Sequence, residues 1–163
     1  MADTKPHILI VEDDAMIRSF LRVVLEGEGY DVTEAETGAE MFAALDGGHF
    51  DVIVLDIMLP GVDGITLCDD IRNMQAYKSA PIIMITGSRK HDLMDTAFRA
   101  GATDFIFKPL NGIELGARIK QAVADFAPEI APAKPSIMFY QPAQTEARLT
   151  SLSINLLASI AII

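Results

Sequence analysis

Residues 51–64 read Asp51-Val52-Ile53-Val54-Leu55-Asp56-Ile57-Met58-Leu59-Pro60-Gly61-Val62-Asp63-Gly64. Four apolar residues in a row end on a lone carboxylate, and a loop, Ile57 to Gly61, follows where a helix would have to start for Asp56 to be its cap. The acid therefore needs another reason to be there. On the amino-terminal side, His7-Ile8-Leu9-Ile10-Val11 runs into Glu12, Asp13 and Asp14. On the carboxy-terminal side, Pro81-Ile82-Ile83-Met84-Ile85 runs into Thr86, and Asp104 to Phe107 runs into Lys108. The first of these runs is almost continuously apolar, as a parallel strand buried on both faces requires.

With Tyr30 to Ala35 added, and Asp51 to Leu55 as the third, the chain has five strand candidates. Longer amphipathic segments separate them, at Ala15 to Glu28, Gly38 to Gly47, Gly64 to Met74, Lys90 to Ala100 and Asn111 to Phe126. In the first, Ile17, Leu21, Val24 and Leu25 recur at helical spacing, and Gly27 and Gly29 supply stop signals. Alternating strand and helix signals predict an α/β fold, a doubly wound five-stranded parallel sheet with five helices, over residues 1–126. Such sheets collect ligands outside the carboxyl ends of their strands. Glu12, Asp13, Asp56, Thr86 and Lys108 all belong to that rim.

Half of the 163 residues are apolar and 22% are charged, which suits a folded globular chain. A net charge of -10 argues against direct nucleic acid binding, which relies on clustered Lys and Arg. One cysteine, Cys68, allows no internal disulfide, and no apolar signal run follows Met1, so a cytoplasmic protein without membrane association is expected. Cys68, beside Leu67 and Ile71, reads as a core or boundary residue. His7, His49 and His91 lack metal-ligand spacing. Residues 127–136 read as a Pro/Ala-rich linker, and 137–163 as an apolar C-terminal segment of unknown role. The apolar run Leu149 to Ile163 is shorter than the roughly 20 residues of a membrane span. Its apolar side chains need a covering surface, and self-association is one expectation.

Carboxylates gathered at one rim repel each other by roughly 4 kcal/mol per pair at 4 Å with an effective dielectric near 20. A magnesium ion would compensate them, since it takes oxygen ligands, accepts one or two carboxylates and keeps waters that a phosphate can replace. Lys108 offers a second positive charge, for Asp56 or for a phosphoryl oxygen. Thr86 can present its hydroxyl to the same place. Asp14 is expected to serve only as a helix cap.

Four segments, in order and at matching intervals, resemble the receiver domains of response regulators across about residues 6 to 126: Ile8 to Asp14, Asp51 to Gly64, Pro81 to Gly87, and Ala100 to Pro109. The resemblance implies a flavodoxin-like receiver with a C-terminal extension. It implies that Asp56 accepts the phosphoryl group, and that Asp13 and Asp56 bind Mg2+ (or Mn2+) directly. Glu12 would act through a bound water, and the carbonyl of Met58 would add a further ligand. Thr86 and Phe105 resemble the switch pair, Lys108 the ion-pair partner, and Lys108-Pro109 the family's cis peptide. The implied donor is a sensor histidine kinase or a histidine phosphotransfer protein, and the implied role is regulatory rather than that of an enzyme turning over an external substrate. The surface expected to change is formed by the fourth helix, fifth strand and fifth helix. Asp104, Glu114 and Arg118 resemble part of a charged set through which such receivers dimerise. Two other readings are a pseudo-receiver that is never phosphorylated, and a metal-dependent aspartyl-phosphate phosphatase. The first usually lacks an acid, the lysine or the threonine, all present here. The second needs an Asp where Met58 stands.

Overall fold

Strands with no polar face must be covered on both sides, and the chain satisfies this with two helical layers. The computed structural model describes residues 4–126. Five parallel strands form the main sheet: β1 (His7–Val11), β2 (Asp31–Ala35), β3 (Val52–Asp56), β6 (Ile82–Thr86) and β7 (Asp104–Phe107). Their spatial order is β2-β1-β3-β6-β7, so the direction of winding reverses at β1 and β3. The acidic loop after β1 and Asp56 at the end of β3 lie at that reversal, where doubly wound sheets hold ligands.

Side-chain alternation divides the core. Leu9, Val11, Ile53, Leu55, Met84 and Phe105 pack on one face with α2 (Gly38–Gly47), α3 (Gly64–Asn73) and α4 (His91–Arg99). Ile8, Ile10, Val52, Val54, Ile83, Ile85 and Ile106 pack on the other with α1 (Ala15–Gly27) and α5 (Gly112–Phe126). Adjacent residues of a strand thus enter different clusters, as a period of two dictates. Asp14 caps α1 as expected, its Oδ1 accepting the N–H groups of Met16 and Ile17 at 2.8 and 3.0 Å. Cys68 lies fully in the core, where burial pushes its thiol up to about 11.

The structure departs from the sequence expectations in small, explicable ways. β3 and β6 extend through Asp56 and Thr86, because Ile57 N–H bonds to Ile85 O at 3.0 Å and Lys108 N–H to Thr86 O at 2.8 Å. The segment expected to be a loop after Asp56 contains a two-stranded antiparallel hairpin, β4 (Met58–Leu59) and β5 (Val62–Asp63), about Pro60-Gly61. Gly61 sits at φ 77°, a conformation glycine adopts without a Cβ penalty. A 3-10 turn, Gln75–Tyr77, follows α3. It is fixed by tertiary contact: the buried Tyr77 hydroxyl donates to Gly48 O at 2.7 Å and lies 3.3 Å from Leu45 O. The expected linker 127–136 and apolar segment 137–163 lie outside the described residues.

Gly64 closes the hairpin onto β3. Its N–H donates to Ile57 O at 2.8 Å, and a Cβ there would sit 2.1 Å from Asp56 O and 2.7 Å from Ile57 Cα. Both obstacles are backbone and have no rotamer through which to yield. Gly64→Ala should therefore cost about 3 kcal/mol, the upper end of ordinary overpacking. Urea unfolding followed by circular dichroism measures it, and an unchanged midpoint would contradict the packing described.

Candidate functional site

Three strand ends supply the charged groups of one small rim. Glu12 and Asp13 follow β1, Asp56 ends β3, and Lys108 follows β7; Glu12 and Asp56 are 1% and 2% exposed. Lys108 Nζ donates to Asp56 Oδ2 at 2.8 Å and stands 3.1 Å from Glu12 Oε2. One ammonium thus faces two buried carboxylates. The other Asp56 oxygen, Oδ1, accepts the Met58 N–H at 3.1 Å, so the start of the hairpin holds the carboxylate from the opposite side. The Met58 side chain is exposed and only its backbone meets the site.

Glu12 shows the electrostatic cost. Its Oε1 accepts the Asp14 N–H at 3.1 Å, but its buried Oε2 has no hydrogen bond of proper geometry, only the charge of Lys108 nearby. Burial pushes its carboxyl up to about 7; the Asp14 N–H works against this, and the charge of Asp56 adds to it. For Lys108 burial acts downward, but the hydrogen bond and charge of Asp56, followed by those of Glu12, outweigh it and leave the ammonium raised above its ordinary range.

Glu12, Asp13 and Asp56 each offer an oxygen, all within 4.8 Å of one another. An oxygen set of this size, with one buried oxygen lacking a donor, fits a hard divalent cation. Four of the five rim residues singled out from the sequence, Glu12, Asp13, Asp56 and Lys108, are therefore together. His7, His49 and His91 are not: His7 Nε2 pairs with Thr33 Oγ1 at 2.8 Å, His49 faces Asp51 at 3.5 Å, and His91 opens α4.

Thr86 is 1% exposed, and its Oγ1 accepts the Ser88 N–H at 3.0 Å. Phe105 is buried, edge-on to Phe98 of α4 with ring centroids 4.9 Å apart. Lys108-Pro109 is a cis peptide, as the resemblance implied. Arg118 pairs with both Asp104 and Glu114: its Nη1 is 2.6 Å from Asp104 Oδ2, and its Nε is 3.2 Å from Glu114 Oε1. Sequence reading overlooked Arg18. Its Nη1 donates to the carbonyls of Glu12 and Asp13 at 2.9 and 2.8 Å. The one available signal was its position on the first helix, five residues after Asp13.

A rim of three acids and one lysine at the switch point marks a doubly wound α/β domain whose acidic site fits a divalent cation. The response regulator receiver domain model matches residues 8–120, and the chain belongs to that family, the regulatory module of two-component systems. The transcriptional regulatory protein ResD of Bacillus subtilis is 42% identical over 113 residues, 69% of this chain and 46% of ResD. The DNA-binding response regulator MtrA of Mycobacterium tuberculosis is 37% identical over 122 residues, 74% of this chain and 51% of MtrA. The chain thus spans about half the length of the curated relatives it matches. A CheY-like receiver domain protein from Methanospirillum hungatei superposes with a TM-score of 0.71 at 31% identity, covering 76% of this chain and 97% of that one. The chemotaxis protein CheY4 of Vibrio cholerae gives 0.71 at 29% identity, covering 72% and 98%. No helix among the described residues is long and apolar enough to cross a membrane.

The state of Glu12 makes stability pH-dependent when no divalent ion is present. Its carboxyl titrates near 4.5 in an ordinary setting and about 7 in the fold, so between these values the folded chain holds a proton that the unfolded chain has released. Stability then falls as pH rises through that window, and the full loss is present above it. In EDTA, Glu12→Gln should remove roughly 3 kcal/mol of the decline between about pH 5 and 8. Urea unfolding at several pH values measures this, and parallel curves for the two proteins would refute the assignment.

Proposed function

We propose that the chain is a phosphoacceptor response regulator in which Asp56 takes a phosphoryl group from a phosphohistidine donor. The observation that carries this reading is the convergence of Glu12, Asp13 and Asp56 within 4.8 Å, with Lys108 bound to Asp56 Oδ2. A carboxylate oxygen of Asp56 attacks phosphorus, forming an O–P bond as the P–N bond to the donor imidazole breaks and the electron pair leaves with the nitrogen. Lys108 holds Asp56 in line and neutralises charge on the transferred group. Asp13 and Asp56 would hold Mg2+ (or Mn2+) directly, with Glu12 acting through a water and Met58 through its carbonyl. When bound, that ion supplies positive charge to the phosphoryl oxygens. The protein acts on itself and turns over no external substrate.

Thr86 and Phe105 are the switch residues of this reading. To donate to a phosphoryl oxygen the Thr86 hydroxyl has to turn its proton away from Ser88 O, 3.5 Å off, and the space it leaves is next to the strand that carries Phe105. Phe105 packs on Phe98, so a change at Thr86 reaches α4 and the face made by α4, β7 and α5.

The donor is a sensor histidine kinase or a histidine phosphotransfer protein. Met16, Phe20, Val23 and Ile113 are exposed apolar side chains of α1 and α5, and an apolar groove of about 340 Å³ formed by Met16, Ile17, Phe20 and Leu110 runs up to Lys108. A helix of the donor can dock there with its histidine toward the rim. Relatives named as DNA-binding or transcriptional regulators indicate gene control as one output of the family. Acidic as it is, this chain is assigned no direct nucleic acid binding and no membrane partner, and a cytoplasmic location follows from that role.

With a small acyl phosphate as donor, the wild-type protein should gain one phosphoryl group only when magnesium or manganese is supplied, as read by intact mass. Asp56→Asn should gain none, and labelling at the wild-type rate would rule out this phosphoacceptor. Asp13→Ala should lose magnesium affinity by about 10-fold or more, whereas Lys108→Ala should keep it and transfer poorly. Wild-type affinity in both, measured by calorimetry, would mean that the ligands are misassigned.

A further inference from the structure

Glu12 and Asp13 sit on the loop after β1, and the side chains within that loop cannot by themselves fix its path. Asp14 caps α1, and Glu12 Oε1 receives the Asp14 N–H, but neither bond restrains the carbonyls of Glu12 and Asp13. Arg18 does. Its Nη1 donates to both, at 2.9 and 2.8 Å, from one turn inside α1, where Arg18 N–H is itself tied to Asp14 O at 2.9 Å. Its Nη2 lies 3.6 Å from Glu36 Oε2, in the β2 to α2 connection, and the Arg18 side chain is only 15% exposed. The guanidinium therefore bridges three parts of the chain: the loop after β1, the first turn of α1 and the loop after β2.

We propose that Arg18 is a positioning residue for the cation site, setting the backbone of Glu12 and Asp13 so that their carboxylates converge with Asp56. The proposal rests on the phosphoacceptor reading above. A planar guanidinium can hold two carbonyls and an acid in one geometry; an ammonium carries the same charge with less fixed direction. Outer groups that orient metal-ligating side chains commonly change affinity by one or two orders of magnitude when removed. Arg18 reaches the ligands through their own peptide groups rather than through the carboxylates.

Charge and position oppose each other here, which makes the sign of the effect decisive. A cation this near the acids weakens binding of a second cation, so if Arg18 acted by charge alone, Arg18→Met would bind magnesium more tightly. As a positioning residue it should do the reverse. Magnesium affinity by calorimetry should fall about 10-fold in Arg18→Met and about 3-fold in Arg18→Lys, the lysine restoring part of the contact. The rate of acyl phosphate labelling at saturating magnesium should change little while the magnesium concentration for half-maximal rate rises. In the metal-free protein, amide exchange of Asp14 should quicken in Arg18→Met and not at the far end of the sheet, such as Ile83. If the methionine variant does not fold, the lysine variant carries the test. Magnesium affinity equal to or tighter than wild type in the folded variants overturns the proposal. Normal wild-type binding that depends on Asp13, with unaffected Arg18 variants, overturns it alone; a wild-type protein with no magnesium affinity overturns the cation site as well.

Discussion

One ammonium between two buried carboxylates governs the functional end of this molecule. Lys108 Nζ stands 2.8 Å from Asp56 Oδ2 and 3.1 Å from Glu12 Oε2, and both acids are almost wholly removed from water. Two buried negative charges against one positive leave an excess that burial makes expensive. Burial, with the charge of Asp56 adding to it, raises the Glu12 carboxyl above its ordinary range. Negative excess in a buried site favours the approach of further positive charge, the property that the proposed cation-assisted phosphoryl acceptor requires.

The sheet makes the arrangement possible and also rigid. β1, β3 and β6 are adjacent, and each is buried on both faces by helices, so their carboxyl ends cannot shift independently. The groups at the rim are then held by short local devices: the Asp14 cap, the Met58 N–H on Asp56, the Arg18 grip on two carbonyls. Rigidity on the acidic side contrasts with the other edge. There the Thr86 hydroxyl is tied to the Ser88 backbone, accepting its N–H at 3.0 Å and donating to its carbonyl at 3.5 Å, and Arg89 lies over the Phe107 ring at 4.3 Å. The loop after β6 has fewer ties than the loop after β1. Fewer ties make the Thr86 end of the rim the less constrained one.

Much of the fold was legible in the chain itself. All five strands of the main sheet and all five α-helices stand within a residue or two of where hydrophobic periodicity and stop signals put them, since a strand buried on both faces has to be almost wholly apolar and a capped helix declares its ends. The β4 and β5 hairpin was not legible. Met58-Leu59 and Val62-Asp63 are too short to carry a period, and they pair because Gly64 N–H is drawn to Ile57 O. The turn at Gln75–Tyr77 was hidden for a similar reason: its anchor is the Tyr77 hydroxyl on carbonyls about thirty residues earlier.

For the site, the sequence by itself determined the residue types and their place at strand ends. Carboxylates after β1 and at the end of β3, a hydroxyl at the end of β6 and an ammonium after β7 have to arrive at one rim once the strands are parallel and adjacent, because that topology puts every carboxyl end on one side. Only the tertiary structure decided how the charges were shared. It assigned Lys108 to Asp56 and Glu12 together, left Asp13 half-buried, and turned Glu12 inward so that burial raised its carboxyl. It also brought Arg18 onto the acidic loop and paired Arg118 with Asp104 and Glu114. Residue order specifies which groups arrive at the rim; pairing and desolvation depend on distances of a few ångströms, which exist only after the two faces of the sheet have been packed.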